Sequence, residues 1–180
     1  LTEELSVLFE VVRKLESAGA AYMLTGSMAM NLHAVPRMTR DIDLVVTVTD
    51  SLLDQLPSIF PPEHYYLSED AARDAVAHSS CFNLVHLGTM MKIDIMVRKS
   101  DEYRIHEFSR KQLHQIEGQP LFVVSKEDLI LSKLDWARES GSERQLADVQ
   151  NLLATSHDPK YLQQWATKLH LTDILTRVSA

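Results

Sequence analysis

Asp41-Ile42-Asp43 sets two carboxylates at alternate positions at the head of an apolar run that continues through Leu44, Val45 and Val46. Alternate residues of a β-strand point to one face, so Asp41 and Asp43 project side by side while Ile42, Leu44 and Val46 face a core. Neighbouring carboxylates repel unless a cation lies between them. The pattern suits a divalent-metal site at the edge or end of a sheet. Mg²⁺ fits best, because it takes hard oxygen ligands from a few carboxylates and completes its octahedron with water and nucleotide phosphate. Taken alone, Asp-x-Asp more often marks a half-exposed strand with two solvated acids.

Two further segments shift that balance. Tyr22-Met23-Leu24-Thr25 reads as a short strand, Gly26 permits a sharp turn, and residues 27–34 read as a helix ended by Pro36. A helix start presents unpaired N–H groups and the positive end of its dipole, so Gly26 and Ser27 can receive a phosphate. The plainer role for Ser27 is that of an N-cap. In Met91–Val97, Ile93, Ile95 and Val97 share one face and Lys92, Asp94 and Met96 the other. If this strand lies beside that of Asp41 and Asp43, three carboxylates converge, enough for the paired metal ions of an in-line phosphoryl or nucleotidyl displacement.

Basic residues stand near enough in the pattern to serve the same chemistry. Arg37 and Arg40 precede the acids and suit a triphosphate, or else pair with nearby acids at the surface. Ser125 and Asp128 resemble a capping box that starts a helix through about residue 139. On a wheel of about 100° per residue, Lys133 falls about 40° from Leu129, inside an apolar stripe that includes Trp136 and Ala137. A buried, unpaired ammonium is costly, so Lys133 must snorkel out, pair with an acid or reach a polyanionic ligand. Arg144 and Asp148, at i and i+4, read most simply as an exposed ion pair.

Gly26-Ser27, Asp41-Ile42-Asp43 and Ile93-Asp94-Ile95, in that order, resemble the signature of the nucleotidyltransferase superfamily related to DNA polymerase β. The run Pro36-Arg37-Met38-Thr39-Arg40-Asp41-Ile42-Asp43-Leu44-Val45 is similar to that of small prokaryotic nucleotidyltransferases of the AbiEii type, which include toxins of abortive-infection and toxin–antitoxin systems. The resemblance extends through Lys133 and Arg144-Gln145-Leu146-Ala147-Asp148, covering about residues 20–155. It implies an α/β (α+β) fold, a nucleotidyltransferase-like mixed sheet flanked by helices with a helical C-terminal extension. It implies an enzyme that moves a nucleoside monophosphate from an NTP to an acceptor hydroxyl and releases pyrophosphate. Asp41, Asp43 and Asp94 would be catalytic metal ligands for two Mg²⁺ ions, with Mn²⁺ as a substitute. Gly26, Ser27, Arg37, Arg40 and Lys133 would hold the nucleotide, and Asp148 would orient Lys133 or close the site wall. The acceptor is a tRNA, a protein or a small molecule, and a cognate antitoxin is the expected protein partner. Two other readings remain open at this point: a non-catalytic nucleotide-binding or antitoxin-like module, and an antibiotic-modifying nucleotidyltransferase. The Met28-Ala29-Met30 continuation differs from the Gly-Ser-x-Arg-Ala-Arg-Gly run of minimal nucleotidyltransferases paired with helical HEPN partners. The chain is also too short for the tRNA-binding bodies of CCA-adding enzymes or poly(A) polymerases.

Composition agrees with a compact enzyme. A chain of 180 residues, 45% hydrophobic, can bury one sizeable core. Residues 1–124 are expected to form the α/β core and residues 125–180 a helical region packed on it. The net charge of −7, from 18 basic and 25 acidic residues, disfavours non-specific binding to long nucleic acid. The apolar stretches are of strand length, which predicts no membrane span or signal peptide, and the single cysteine, Cys81, fits a cytoplasmic setting. Cys81 reads as a small buried apolar residue. No metal-ligand spacing joins the eight histidines.

The elements that must position these groups follow from periodicity. A helix spans about 2–18, strands lie near 21–25, 41–48, 81–87 and 90–97, and a second pair of strands joins as a hairpin at Gly118. A helix is expected near 69–78, a loop around Pro57, Pro61 and Pro62, and helices from Ser125 onward.

Overall fold

The computed structural model describes residues 2–179. Helix α1 (Glu3–Ser17) starts where the Thr2 hydroxyl accepts the Leu5 N–H, carries Glu3 and Glu4 in its first turn, and buries Leu8, Val11, Val12 and Leu15. Strand β1 (Tyr22–Thr25), helix α2 (Gly26–His33) and strand β2 (Ile42–Val46) follow. Then come α3 (Asp50–Ile59), β3 (Tyr65–Leu67), α4 (Glu69–His78), β4 (Cys81–His86) and β5 (Met91–Val97). The remainder is α5 (Glu102–Ser109), β6 (Gln112–Ile116), β7 (Gln119–Val123), α6 (Lys126–Ser140), α7 (Glu143–Leu153), α8 (Pro159–Lys168) and α9 (Thr172–Ser179).

The strands form one seven-stranded mixed sheet in the order β3-β4-β5-β2-β1-β7-β6. β2 runs parallel to β5 and β1 parallel to β7, while the other neighbours are antiparallel. The two-residue period of the strands sorts side chains cleanly. Leu24, Leu44, Ile93, Ile95, Phe82 and Leu84 are all buried and belong to one contiguous core. α1 packs on β1, α4 on β4, and α3 on α4. The Lys14 ammonium ties α1 to α3 by donating to the Ile59 carbonyl at 3.1 Å. α6 and α7 pack on each other and both reach α2, which brings Lys133 and Asp148 toward the Asp-bearing strands. Among the described residues no helix is long and apolar enough to cross a membrane.

The fold differs from the sequence expectation in several elements. Residues 50–59 form a helix although Pro57 lies within it. Thr49 caps the helix through the Leu52 N–H, Leu52 and Leu56 bury on one stripe, and Pro57 stands near the C-terminal end, where little helix remains to disrupt. Strand β3 and helix α5 are likewise additional to the expectation; α5 is started by the Asp101 carboxylate accepting the Arg104 N–H at 3.0 Å. Cys81 is exposed rather than buried, because it opens β4 on the face opposite Phe82 and Leu84. Partial burial of the thiol itself, then the charge of Asp94, push it up to about 11, which disfavours the reactive thiolate. Trp136 is 61% exposed. The buried stripe of α6 is centred near Ile130 and Ala137, and leaves Trp136 on its flank. Ser125 caps α6, but Asp128 does not close the reciprocal box: it is fully buried and accepts from the Ser125 hydroxyl, Arg110 and Tyr161.

Candidate active site

The β1–α2 junction has no intervening loop: Thr25 ends the strand and Gly26 begins the helix at φ 65°. Only glycine adopts that conformation without strain. A Cβ at Gly26 would lie 1.9 Å from Asp43 Oδ2, so glycine is also what lets the carboxylate approach the helix start. We expect Gly26→Ala to lose about 1–3 kcal/mol of stability from the backbone conformation and the displaced Asp43. Any nucleotidyl transfer should fall at least tenfold in the protein that still folds, read by denaturant unfolding beside a transfer assay. An alanine variant with unchanged melting and turnover would contradict this packing argument.

Register brings the acids together. Asp43 pairs with Thr25 of β1 on one side and with Asp94 of β5 on the other, and Asp94 pairs with Asn83 of β4. Partners in register point to the same face, so Thr25, Asp43, Asp94 and Asn83 form a polar row across four strands. Asp41 stands just before β2 and is exposed. Burial, then the charges of Asp94 and Asp41, push the Asp43 carboxyl up to about 6, while Lys133 and the Ser27 N–H act in the opposite sense. Asp94 is engaged differently. The Lys92 ammonium lies 2.9 Å from Oδ1 and 3.0 Å from Oδ2, and the Asn83 amide also donates to this carboxylate.

A chain of charges leads from α2 into the helical half. The Arg37 guanidinium grips Asp148 with two hydrogen bonds of 2.8 Å, from Nε to Oδ1 and from Nη2 to Oδ2. Its Nη2 also donates to Ser27 Oγ at 2.6 Å. Lys133 Nζ donates to Asp148 Oδ2 at 2.7 Å and to Gln145 Oε1 at 3.0 Å. Lys133 and Asp148 are each 5% exposed at the side chain. Burial opposes the Asp148 charge, but Arg37 and Lys133 outweigh it and hold the carboxyl below its ordinary range. At Lys133 burial is the larger influence and lowers the ammonium against the pull of Asp148.

The loop that carries Arg37 is pinned by two asparagines. Asn31 bonds the Arg37 backbone at both its N–H and its carbonyl, at 3.0 and 2.8 Å. Asn151 of α7 does the same for Val35, at 3.3 and 2.8 Å. These two residues, with Asn83, Gln145 and the Lys92 contact, lie outside the sequence-based set. Isolated polar side chains at helix and strand positions carry no spacing signal that reveals such contacts.

Several expectations change in this geometry. Ser27 is not an N-cap: Thr25 holds that position without a side-chain bond, and the Ser27 hydroxyl faces Arg37. Asp148 pairs with Arg37 and Lys133 across the fold rather than with Arg144 one turn away, and Arg144 is exposed. Lys133 is not a snorkelling lysine, because an acid meets it inside the apolar stripe. Arg40 is exposed, whereas Arg37 is drawn into the network.

The donor set suits a hard divalent cation. Asp43 and Asp94 are register neighbours, and the repulsion that raises Asp43 is what a cation would relieve. Among the described residues, however, no three acidic, histidine or cysteine side chains stand in a metal-holding group. Asp94 is instead held toward Lys92 and Asn83.

Comparison with known proteins identifies a family and several similar folds. The profile of a family described as "Nucleotidyl transferase AbiEii toxin, Type IV TA system" matches residues 8–173. No match is found among curated proteins by sequence. Among solved structures, an antigenic nucleotidyltransferase-like protein from Paracoccidioides brasiliensis superimposes with TM-score 0.57 at 20% identity, covering 99% of this chain and 94% of its own. The lincosamide antibiotic adenylyltransferase LnuA, lincomycin-bound, gives 0.56 at 18% identity, covering 87% and 99%. ANT(2")-Ia in complex with adenylyl-2"-tobramycin gives 0.61 at 15% identity, covering 98% and 99%. At these identities the likeness is one of fold.

Proposed function

This chain belongs to the AbiEii nucleotidyl transferase toxin family, and from that premise we propose that it transfers a nucleoside monophosphate from an NTP to an acceptor hydroxyl, with release of pyrophosphate. The observation that carries the proposal is the meeting of two opposite charge sets at one helix start. Asp43 and Asp94 lie on one side of Gly26–Ser27, and Arg37 and Lys133 approach through Ser27 and Asp148 on the other. In this reading a triphosphate would lie between them, its oxygens toward the helix N-terminus and the two cations.

In this reaction the acceptor oxygen bonds to the α-phosphorus as the bond to the pyrophosphate oxygen breaks. Two Mg²⁺ ions held by Asp41, Asp43 and Asp94 would supply Lewis-acid neutralisation of the phosphate oxygens. Asp94, one strand farther from the β1–α2 junction than Asp43, takes the acceptor's proton. Arg37 and Lys133 offset the charge that builds on the departing pyrophosphate. Asp148 touches neither phosphate nor acceptor in this scheme and serves to position both cations. The acceptor is a tRNA end, a protein or a small molecule, and an antitoxin is the expected partner of the assembled system.

Lys133→Met tests the phosphate end. Asp148 keeps the two-pronged bond from Arg37, so stability should stay within about 1 kcal/mol of the original. Nucleotide affinity should fall about ten- to hundredfold through loss of a charge-assisted contact. Fluorescence titration with Mg²⁺-NTP beside a thermal melt reads both quantities. Unchanged affinity would remove Lys133 from the nucleotide site and leave it a packing residue.

A further inference from the structure

Asp43 and Asp94 are register neighbours, yet their surroundings differ in kind. Asp43 is partly buried, shares its surroundings with the charges of Asp94 and Asp41, and has no salt-bridge partner among the described residues. Asp94 has a lysine two residues before it on the same strand, and the Lys92 ammonium spans both carboxylate oxygens at 2.9 and 3.0 Å. Lys92 comes from the solvent side: its side chain is 49% exposed while that of Asp94 is 19% exposed. A long, half-exposed stem can leave such a contact at little cost, since an exposed ion pair of this kind contributes little net stability. Asn83, the register partner of Asp94 on β4, donates to the same carboxylate and steadies it on the side away from Asp43.

We infer that Lys92 is a built-in, displaceable counter-ion of Asp94: its ammonium occupies the oxygens that a divalent cation must take, so Lys92 and the cation compete for one carboxylate. The inference rests on the metal reading given above. It accounts for the observation that Asp94 is drawn toward Lys92 and Asn83 instead of into a ligating group with Asp41 and Asp43. A cation that binds the acids releases Lys92 to the β4–β5 side of the site. The ammonium then stands apart from Ser27, Arg37 and Lys133 and adds positive charge on the acceptor side only after the metal has bound. Val85, the register partner of Lys92, and Tyr66, the register partner of Val85, continue that row across the sheet. Tyr66 is 62% exposed, so the far end of that row faces solvent.

The test is a Mn²⁺ titration by electron paramagnetic resonance on the intact chain, without nucleotide, with thermal melts confirming the fold of every variant. Lys92→Met should bind Mn²⁺ about three- to tenfold more tightly than the original, because a competing positive charge is gone. Lys92→Gln should behave alike, and Lys92→Arg should bind as the original does. In an Asp94→Asn background, Lys92→Met should no longer tighten binding. Equal or weaker Mn²⁺ binding by Lys92→Met would overturn the inference, as would tightening that persists undiminished without the Asp94 carboxylate. If Asp94→Asn weakens Mn²⁺ binding while Lys92→Met leaves it unchanged, the metal site stands and the competition falls. If the original chain and all variants bind no Mn²⁺, both fall.

Discussion

Asp43→Asn is expected to raise stability at pH 7 and to reduce nucleotidyl transfer by at least about three orders of magnitude in the same protein. The stability gain follows from the position of the carboxyl, raised from 3.8 to about 6 by burial and by the charges of Asp94 and Asp41. Between those two values the folded chain binds the proton more tightly than the unfolded chain does, so stability falls as pH rises through the window. Above about pH 6 the folded protein carries the full cost of a buried charge. A shift of that size corresponds to at most about 3 kcal/mol, and asparagine, which still needs hydrogen-bond partners, should recover about 2 kcal/mol. Urea unfolding from pH 4 to 8 should show the two proteins converging near pH 4 and the variant the more stable above pH 6. Mg²⁺ should stabilise the original chain at pH 7 and leave the variant nearly unaffected. A variant less stable than the original at neutral pH would mean that Asp43 is held by favourable contacts, and that no repulsion awaits a cation.

Asp148→Ala should act in the opposite sense. Arg37 and Lys133 both direct their charge to this one carboxylate, and the Lys133 side chain is 5% exposed. Removing it leaves two cations facing each other with one of them buried, a change of about 3–5 kcal/mol in stability. Nucleotide affinity should fall as well, since Ser27, Arg37 and Lys133 lose their common anchor. Lys133 already lies below an ordinary lysine through burial, and without Asp148 it should fall further. A depressed lysine binds fewer protons folded than unfolded, so the variant should regain part of its stability as pH rises toward the ordinary lysine value. Asp148→Asn, which keeps an acceptor for Lys133, should lie between the two. An alanine variant that melts with the original would show that the network contributes nothing to the fold.

Much of the site can be read along the chain because strands have a short, exact period. Ile42-Asp43-Leu44-Val45-Val46 and Met91–Val97 alternate so cleanly that the polar face of each strand is legible, and the parallel pairing of β2 with β5 then sets Asp43 against Asp94. Residues 69–78 are legible for a local reason as well, with Ser68 as N-cap and alanines buried on one stripe. What local pattern cannot carry is partnership across the chain. Arg37 and Asp148 lie 111 residues apart, so the reading of Asp148 as the partner of Arg144 rested on helix spacing alone. Lys133 is legible as a misplaced charge, but periodicity does not name the acid that answers it; Asp148 is reached only through the family resemblance. Pro57 hid α3 because its local penalty outweighs, in sequence, the burial of Leu52 and Leu56 that the fold supplies. Lys92 reads as one more polar residue of an amphipathic strand, and only its contact with Asp94 marks it out.

The most direct measurement is of pyrophosphate and label together. Purified protein with Mg²⁺ and each NTP labelled at the α-phosphate would be incubated with total RNA, with total protein and with aminoglycoside or lincosamide acceptors, beside Asp43→Asn. One acceptor class is expected to take up label with an equal amount of pyrophosphate released, and Asp43→Asn to yield neither. Equal label and pyrophosphate from the two proteins, or nucleotide bound with no pyrophosphate released in any arm, would contradict that expectation.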